Sequence, residues 1–329
     1  MSDETILVTG AAGFIGFHLA RQLLVDGRHV VGLDNLNSYY DPALKQSRLA
    51  ILRGQSRFSF VQMDLADGPS ISRLFAQHRF GAVIHLAAQA GVRHSIDHPH
   101  AYADANLIAF LNVLEGCRNH ECRHLVYASS SSVYGANTKL PFSVDDKTDR
   151  PVSFYAATKK ANELMAYSYS HLYRLPVTGL RFFTIYGPWG RPDMAIFLFV
   201  KSIIEGTPIR LFNNGKMRRD FTHIEDVTRV VLRLVDRIPK DDGRAADAPS
   251  RIYNVGNQRP EELLHVVALL EKELGREAVK DMLPMQPGDV METYTDIGDL
   301  MRDVGFKPQT SIEDGIRDFV AWYRGHYKV

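Results

Sequence analysis

By type and spacing, Tyr155 and Lys159 are a pair that can move a proton. They stand four positions apart on a stretch of helical character and therefore share one face. A tyrosine ionises near pH 10, too high for a base at neutral pH. An ammonium beside it favours the phenolate and lowers that value. Upstream, Ser129-Ser130-Ser131-Ser132 closes a strand-like segment, and a hydroxyl there, that of Ser130, can share the proton of a substrate oxygen being oxidised. As a bare pair, Tyr-x-x-x-Lys also describes a surface tyrosine lying along a lysine stem.

A second constellation supplies the oxidant. Thr9-Gly10-Ala11-Ala12-Gly13-Phe14-Ile15-Gly16 follows an apolar strand and opens a helix, with Gly10, Gly13 and Gly16 spaced as G-x-x-G-x-x-G. Such glycines permit a tight turn, close approach of backbone to a pyrophosphate and close helix–strand contact, while the helix N-terminus suits an anion. Asp34 ends the second strand, eighteen residues beyond Gly16, and is followed by Asn35. A carboxylate there takes ribose hydroxyls and repels a 2′-phosphate, and no Arg or Lys intervenes before Lys45, so NAD is favoured over NADP. The other reading is a glycine turn beside a solvated Asp. Asp64-Leu65 and Leu86-Ala87-Ala88 end two further strands at the carboxyl edge, where ligands of open α/β sheets sit; Asp64 suits the adenine end or a helix N-cap. The charge of an oxidised nicotinamide would reinforce Lys159 in lowering the Tyr155 pKa, and Lys159 can also hold the nicotinamide ribose.

These residues need a particular scaffold. Thr5–Val8, Val30–Leu33, Phe58–Met63, Ala82–Leu86, Leu125–Ala128 and Val177–Phe183 read as strands. Gly13–Asp26, Pro69–His78, Ala101–Cys117 and Ser153–Tyr173 read as helices between them. Short apolar strands alternating with helices make an α/β, doubly wound parallel sheet. Further on, Glu225–Val235 and Pro260–Leu274 read as helices, Ile252–Val255 as a strand and Lys240–Ser250 as a polar loop. Residues 1–180 are expected to form the nucleotide-binding domain, with returns near 225–237 and 251–257, and residues 181–329 a smaller C-terminal α/β substrate-binding domain. The 329 residues are 45% hydrophobic, and 39 basic against 38 acidic residues leave +1, with no global field for nucleic acid or an anionic membrane. Met194–Val200 is too short an apolar run to span a bilayer, Asp3 and Glu4 oppose a secretory signal, and two cysteines make no disulfide framework. A soluble, cytoplasmic protein is expected.

Taken together, the glycine loop, Asp34, the serine run before Val133-Tyr134-Gly135, and Tyr155-x-x-x-Lys159 resemble the extended short-chain dehydrogenases/reductases, whose best-known members are nucleotide-sugar epimerases and dehydratases. The likeness continues through Arg181–Pro188 and Arg219–Val227. Asp34-Asn35-Leu36-Asn37-Ser38-Tyr39-Tyr40-Asp41-Pro42 and Met285-Gln286-Pro287-Gly288-Asp289-Val290 resemble UDP-glucuronate 4-epimerases in particular. The resemblance implies a Rossmann sheet, bound NAD, a UDP-sugar substrate and a homodimer paired through Ala101–Cys117 and Ser153–Tyr173. Dehydratases of the family carry Asp-Glu where this chain has Ser131-Ser132, and decarboxylases Glu in place of Ser132. Without those carboxylates elimination lacks its proton carrier, whereas 4-epimerisation through a 4-keto sugar needs one base, one hydride acceptor and room to turn. The alternatives are a 4-epimerase of neutral UDP-glucose or UDP-N-acetylglucosamine, a decarboxylase, and a non-catalytic NAD sensor on the same fold.

On that likeness Ser130, Ser131 and Ser132 line the sugar. Arg191 is the candidate clamp for a C5 carboxylate, because a guanidinium grips one bidentately, and it can equally be an exposed loop arginine. Thr184 replaces the Asn common in glucose/galactose epimerases and leans toward an acidic sugar. Arg219 resembles the family's diphosphate-binding arginine and Asp289 its ribose- or loop-fixing carboxylate, the other reading of both being ordinary surface charges, while Gln286 carries over no phosphate contact. Phe199 and Phe212 suit the flanks of uracil or, as aromatic residues in apolar runs, the core, and Arg93 and Ser95 suit the sugar or its phosphate. His120-Glu121-Cys122-Arg123-His124 spells H-E-x-x-H but runs from a helix end into a strand, so no metal site is expected. His94, His98 and His100 read as loop residues, and Met217-Arg218-Arg219 is too small a basic patch for nucleic acid.

Overall fold

Apolar, β-branched segments and helices alternate through the first half of the chain, and they assemble as that pattern requires. In the computed structural model, which describes residues 4–241, 248–285 and 290–329, the order begins β1 (Thr5–Thr9), α1 (Phe14–Val25), β2 (His29–Asp34), α2 (Pro42–Arg53), β3 (Phe58–Gln62), α3 (Gly68–Gln77) and β4 (Phe80–His85). Two single turns, α4 (His94–Asp97) and α5 (Pro99–Tyr102), and a π-helical stretch over Ala103–Ile108 lead into α6 (Ala109–Asn119). There follow β5 (His124–Ser130), a 3-10 turn at Ser131–Tyr134, α7 (Phe154–Tyr173), β6 (Val177–Phe182), β7 (Thr184–Tyr186), α8 (Ala195–Glu205), β8 (Ile209–Leu211), a 3-10 turn at Phe212–Gly215, and β9 (Arg218–His223). The chain ends with α9 (Ile224–Val235), β10 (Ser250–Val255), β11 (Pro260–Glu262), α10 (Leu263–Leu274), β12 (Lys280–Met282), α11 (Gly298–Val304) and α12 (Ile312–Tyr327).

Seven strands form one sheet in the order β10-β6-β5-β4-β1-β2-β3, and the pairs β1·β2, β1·β4, β2·β3, β4·β5 and β5·β6 are parallel. The fold is thus the expected doubly wound α/β sheet. Strand order reverses between β1 and β4, so the carboxyl ends of those two strands flank a switch point, where such sheets hold ligands. One core cluster joins Leu7, Val31 and Leu33 of the sheet to Leu74 and Phe75 of α3 and Phe110 and Val113 of α6. At the switch point the backbone packs without room for side chains. Gly10 has φ +71, and a Cβ on it would lie 2.8 Å from the Ala87 nitrogen; one on Gly16 would lie 2.1 Å from the Gly10 carbonyl oxygen.

The chain divides into two compact units. The first comprises residues 1–138, 144–182 and 228–253; the second comprises 139–143, 183–227 and 254–329. The second contains the small sheets β11-β9-β7 and β12-β8. The segment 139–143, within the first 180 residues, clusters with the second unit.

Several elements differ from the sequence reading. The single helix expected over Ala101–Cys117 is two helices separated by the π-stretch. Pro260–Glu262 is a strand antiparallel to β9 rather than the start of a helix, as suits a proline at a strand's first position. Helices α2, α8 and α12 and strands β7, β8 and β9 lay in stretches whose patterning was not assigned. The loop expected at Lys240–Ser250 lies partly outside the described residues, and Ser250 opens β10.

Candidate active site

The first unit gathers the candidate proton-transfer residues Tyr155, Lys159 and Ser130. Ser153 caps α7 by accepting the Ala156 N–H at 3.1 Å, fixing the turn that carries Tyr155. One turn on, Lys159 is 2% exposed and its Nζ donates to the Ala128 carbonyl of β5 at 2.9 Å. Burial lowers its pKa to about 8. Tyr155 is half-buried, its ring edge-on to Tyr102 at 6.1 Å. A further turn on, Glu163 is gripped by Arg181 of β6 at 2.8 and 3.0 Å and accepts the Ser129 hydroxyl at 2.6 Å. Burial alone would raise the Glu163 pKa, but the Arg181 fork, the Ser129 hydroxyl and the Lys160 charge together outweigh it and hold the carboxyl below its usual range. Arg181 also donates to the Tyr134 hydroxyl at 3.0 Å.

This network separates the four serines. The Ser129 proton goes to Glu163. Ser130 Oγ instead accepts the Ser132 N–H at 3.2 Å, capping the 3-10 turn. Ser131 and Ser132 stand half-buried on that turn. Glu163 itself gave no sequence signal beyond lying four residues after Lys159.

Asn106 was also missed. In the π-stretch, its side-chain oxygen accepts the Gln89 N–H at 2.8 Å, and its amide donates to the Gln89 carbonyl at 3.1 Å and Thr158 Oγ1 at 3.0 Å. Asn162 donates to its carbonyl at 2.7 Å. Through Asn106 the loop after β4 is tied to the helix bearing Tyr155 and Lys159. A lone Asn in an apolar run was the only trace of this.

The glycine loop is built for an anion. Gly13 caps α1 with no side-chain hydrogen bond, and no acidic residue stands in the first turn. The positive end of the helix, with the N–H groups of Phe14, Ile15 and Gly16, therefore has no built-in competitor for a pyrophosphate. Asp34 is 7% exposed; its carboxylate accepts the Ala12 N–H at 3.2 Å and the Leu36 N–H at 2.8 Å. Asn35 donates to Asp64 at 3.1 Å, joining the ends of β2 and β3. Asp64 is not the cap of α3, which is Asp67 accepting from Ser70. Leu65 is buried, and the Leu86 and Ala87 N–H groups both donate to Thr9 Oγ1 at 3.2 Å, which holds the Leu86–Ala88 segment against β1. An anion-ready helix end, a carboxylate at the second strand and small residues after β4 fit NAD.

Lys45 is a correction to the sequence reading. It ends the stretch after Asp34 that was read as free of a basic neighbour, yet α2 brings its Nζ to 3.8 Å from the carboxylate. Arg93 is exposed at the start of α4, and Ser95 turns its hydroxyl to the Val92 carbonyl at 2.6 Å. His124 of the H-E-x-x-H string is buried in β5 between the Val235 carbonyl and Thr178 Oγ1, both at 2.9 Å, while His120 ends α6; the two share no helix face.

The second unit places the other candidates. Thr184 opens β7 and shares a small recess with Arg191, Met194 and Phe319. Arg191 already forks onto Asp193, Nε at 3.0 Å and Nη2 at 2.6 Å. Arg219 donates to the Arg218 and Met291 carbonyls at 3.0 and 3.1 Å, and its neighbour Asp220 accepts the Asn257 and Gln258 N–H groups at 2.6 and 3.1 Å. Phe199 is buried on α8, whereas Phe212 is half-buried on a 3-10 turn. Asp289, like Gln286, lies outside the described residues.

Comparison with known proteins converges with this geometry. The model of the NAD dependent epimerase/dehydratase family matches residues 6–256. Protein CapI of Staphylococcus aureus is 49% identical, over 98% of this chain and 99% of its own length. UDP-glucuronate 4-epimerase 4 of Arabidopsis thaliana is 46% identical, over 98% of this chain and 76% of its own. The crystal structure of the UDP-glucuronic acid 4-epimerase of Bacillus cereus, in complex with UDP-glucuronic acid and NAD, superposes with a TM-score of 0.89 at 32% identity, covering 98% of this chain and 100% of that one.

Proposed function

This chain belongs to the NAD dependent epimerase/dehydratase family, and from that premise we propose that it inverts C4 of UDP-glucuronic acid to give UDP-galacturonic acid, and the reverse. The carrying observation is a Tyr155 base on the same helix face as a buried ammonium, beside a serine run without a carboxylate. Acid–base chemistry at one hydroxyl is thereby provided for and elimination is not. Bound NAD supplies the hydride acceptor and donor at C4. Tyr155, as phenolate, takes the C4 hydroxyl proton; Ser130 donates to that oxygen and orients it; Lys159 stabilises the phenolate. After the 4-keto sugar has turned over, Tyr155 returns the proton on the opposite face. The first unit is the NAD-binding domain and the second holds the nucleotide sugar, with Thr184 and Arg191 on the C5 carboxylate, Arg93 and Arg219 toward the diphosphate, and Phe212 and Phe199 toward uracil.

One observation favours the second reading, a neutral UDP-sugar. The Nε–Nη2 edge of Arg191 is engaged by Asp193, so a substrate carboxylate must use its other edge or displace Asp193. Incubating the purified protein with UDP-glucuronic acid, without added reductant, and identifying products by NMR decides. UDP-galacturonic acid free of UDP-pentose is expected. UDP-pentose would make decarboxylation the chemistry, and turnover of UDP-glucose alone would establish the neutral reading.

The assembly we propose is a cytoplasmic homodimer. Leu164, Tyr167, Leu172 and Tyr173 of α7 and Leu111 of α6 are exposed apolar side chains, a pattern that suits helix-to-helix pairing. Two buried thiols suit a reducing compartment. Among the described residues no helix is long and apolar enough to cross a membrane.

A further inference from the structure

The end of β2 carries more charge than a ribose-binding carboxylate requires. Lys45, 6% exposed, donates from Nζ to Asn37 Oδ1 at 2.9 Å and stands 3.8 Å from Asp34 Oδ1. Arg48, fully buried, donates from Nη1 to the Ala12 carbonyl and the Tyr40 hydroxyl, both at 2.9 Å. The Tyr40 ring lies against both cations, at 5.1 Å from Lys45 Nζ and 5.8 Å from Arg48 Cζ. One cation, Lys45, faces the buried Asp34 carboxylate beside the glycine loop, and a second, Arg48, lies against the Tyr40 ring. The other acids nearby are engaged elsewhere: Asp41 caps α2 through the Ala43 N–H, and Asp64 accepts from Asn35 and Ala66. Burial lowers the Lys45 pKa, with the Asp34 charge opposing and the Arg48 charge adding to the shift.

We propose that Lys45 is a second determinant of nucleotide selectivity: Asp34 neutralises its ammonium in this chain, and once the Asp34 charge is removed Lys45 becomes an anchor for a 2′-phosphate. The inference rests on NAD being the resident nucleotide. Asp34 and Lys45 act in opposition on a phosphate at the adenosine ribose, the carboxylate repelling it and the ammonium attracting it. Rejection of NADP is then the difference between two buried charges rather than the work of the carboxylate alone. Arg48 is fixed on the Ala12 carbonyl and serves as background positive charge, so it is left unchanged in the test.

The test measures nucleotide binding rather than turnover. Nucleotide released by acid from the purified holoprotein is identified by chromatography, and NADH and NADPH binding are titrated by protein fluorescence. Asp34→Asn, close in shape, should bind NADPH at least about tenfold more tightly than the unsubstituted chain and release NADP alongside NAD. Adding Lys45→Met should erase that gain while NADH binding stays within a few-fold. Lys45→Met alone should widen the preference for NADH over NADPH several-fold, and it decides the matter if Asp34→Asn is insoluble. No NADPH gain in Asp34→Asn, a gain that survives Lys45→Met, or a preference that Lys45→Met leaves unchanged would each overturn the proposal. An unsubstituted protein that carries no NAD would instead remove the reading on which it rests.

Discussion

Lys159 combines two properties that pull apart with pH. Its folded pKa of about 8 lies below the unfolded lysine value of 10.5, so burial of the ammonium costs stability below pH 8 and the cost fades as pH rises toward 10.5. The shift corresponds to about 3 kcal/mol. Lys159→Met should therefore unfold at a higher denaturant concentration than the native chain at pH 7, with the gap narrowing above pH 8, while kcat drops by about 10²–10⁴ through loss of support for the Tyr155 phenolate. Equal loss of stability and activity would refute this. The serines should also divide by function. Ser130→Ala should lower kcat by about 10–10³ with little change in melting temperature. Ser129→Ala should instead lower stability by about 1–3 kcal/mol, because a buried Glu163 oxygen loses one of its two donors, keeping only Arg181 Nε. Kinetics and urea titrations on the two variants separate these outcomes. Tyr155, Lys159 and Ser130 stood out in the sequence as candidates because their types and spacing carry chemistry in one dimension. Glu163, Asn106 and Lys45 did not, since each acts on a partner brought near only by folding.

At the scale of elements, β6 and α7 are joined by the buried Arg181–Glu163 fork, and β5 is tied to the same carboxylate through Ser129. Arg181→Met should destabilise by about 3–5 kcal/mol, leaving the buried Glu163 charge with only the partly exposed Lys160 ammonium as counter-charge, and Glu163→Met in the same chain should recover much of that loss. A double-mutant cycle in urea measures the coupling; additive losses would show that the fork acts as two independent groups. The parallel sheet was readable because its strands are short and continuously apolar. The break in the Ala101–Cys117 helix was not, because a π-stretch keeps helical residues and changes only the hydrogen-bond register. Strands β7, β8 and β11 are three residues each, too short for alternation to declare itself.

Across the whole molecule, stability should fall steeply in acid. Burial pushes the His85 pKa down to about 3, with the Lys159 charge adding, and burial lowers His124 to about 4 against the Val235 carbonyl and Asp236 charge. Both folded values lie below the unfolded 6.5, so stability is complete above pH 6.5 and drains as pH falls toward 4, by about 2–3 kcal/mol per histidine at pH 4.5. Urea midpoints for the native chain and His124→Gln at pH 7.5 and 4.5 check this, the variant losing less between the two; equal losses would refute it. Net charge and composition excluded classes of function but could not divide the chain, because the two units interleave through segments whose local patterns look alike. That interleaving has a consequence for synthesis. The strand β10, which lies beside β6 at the edge of the large sheet, begins sixty-eight residues after β6 ends. A chain emerging from the ribosome must carry β6 with one backbone edge unsatisfied while all of that length is translated. Any pause between residues 182 and 250 prolongs the interval in which nascent chains can pair with one another instead.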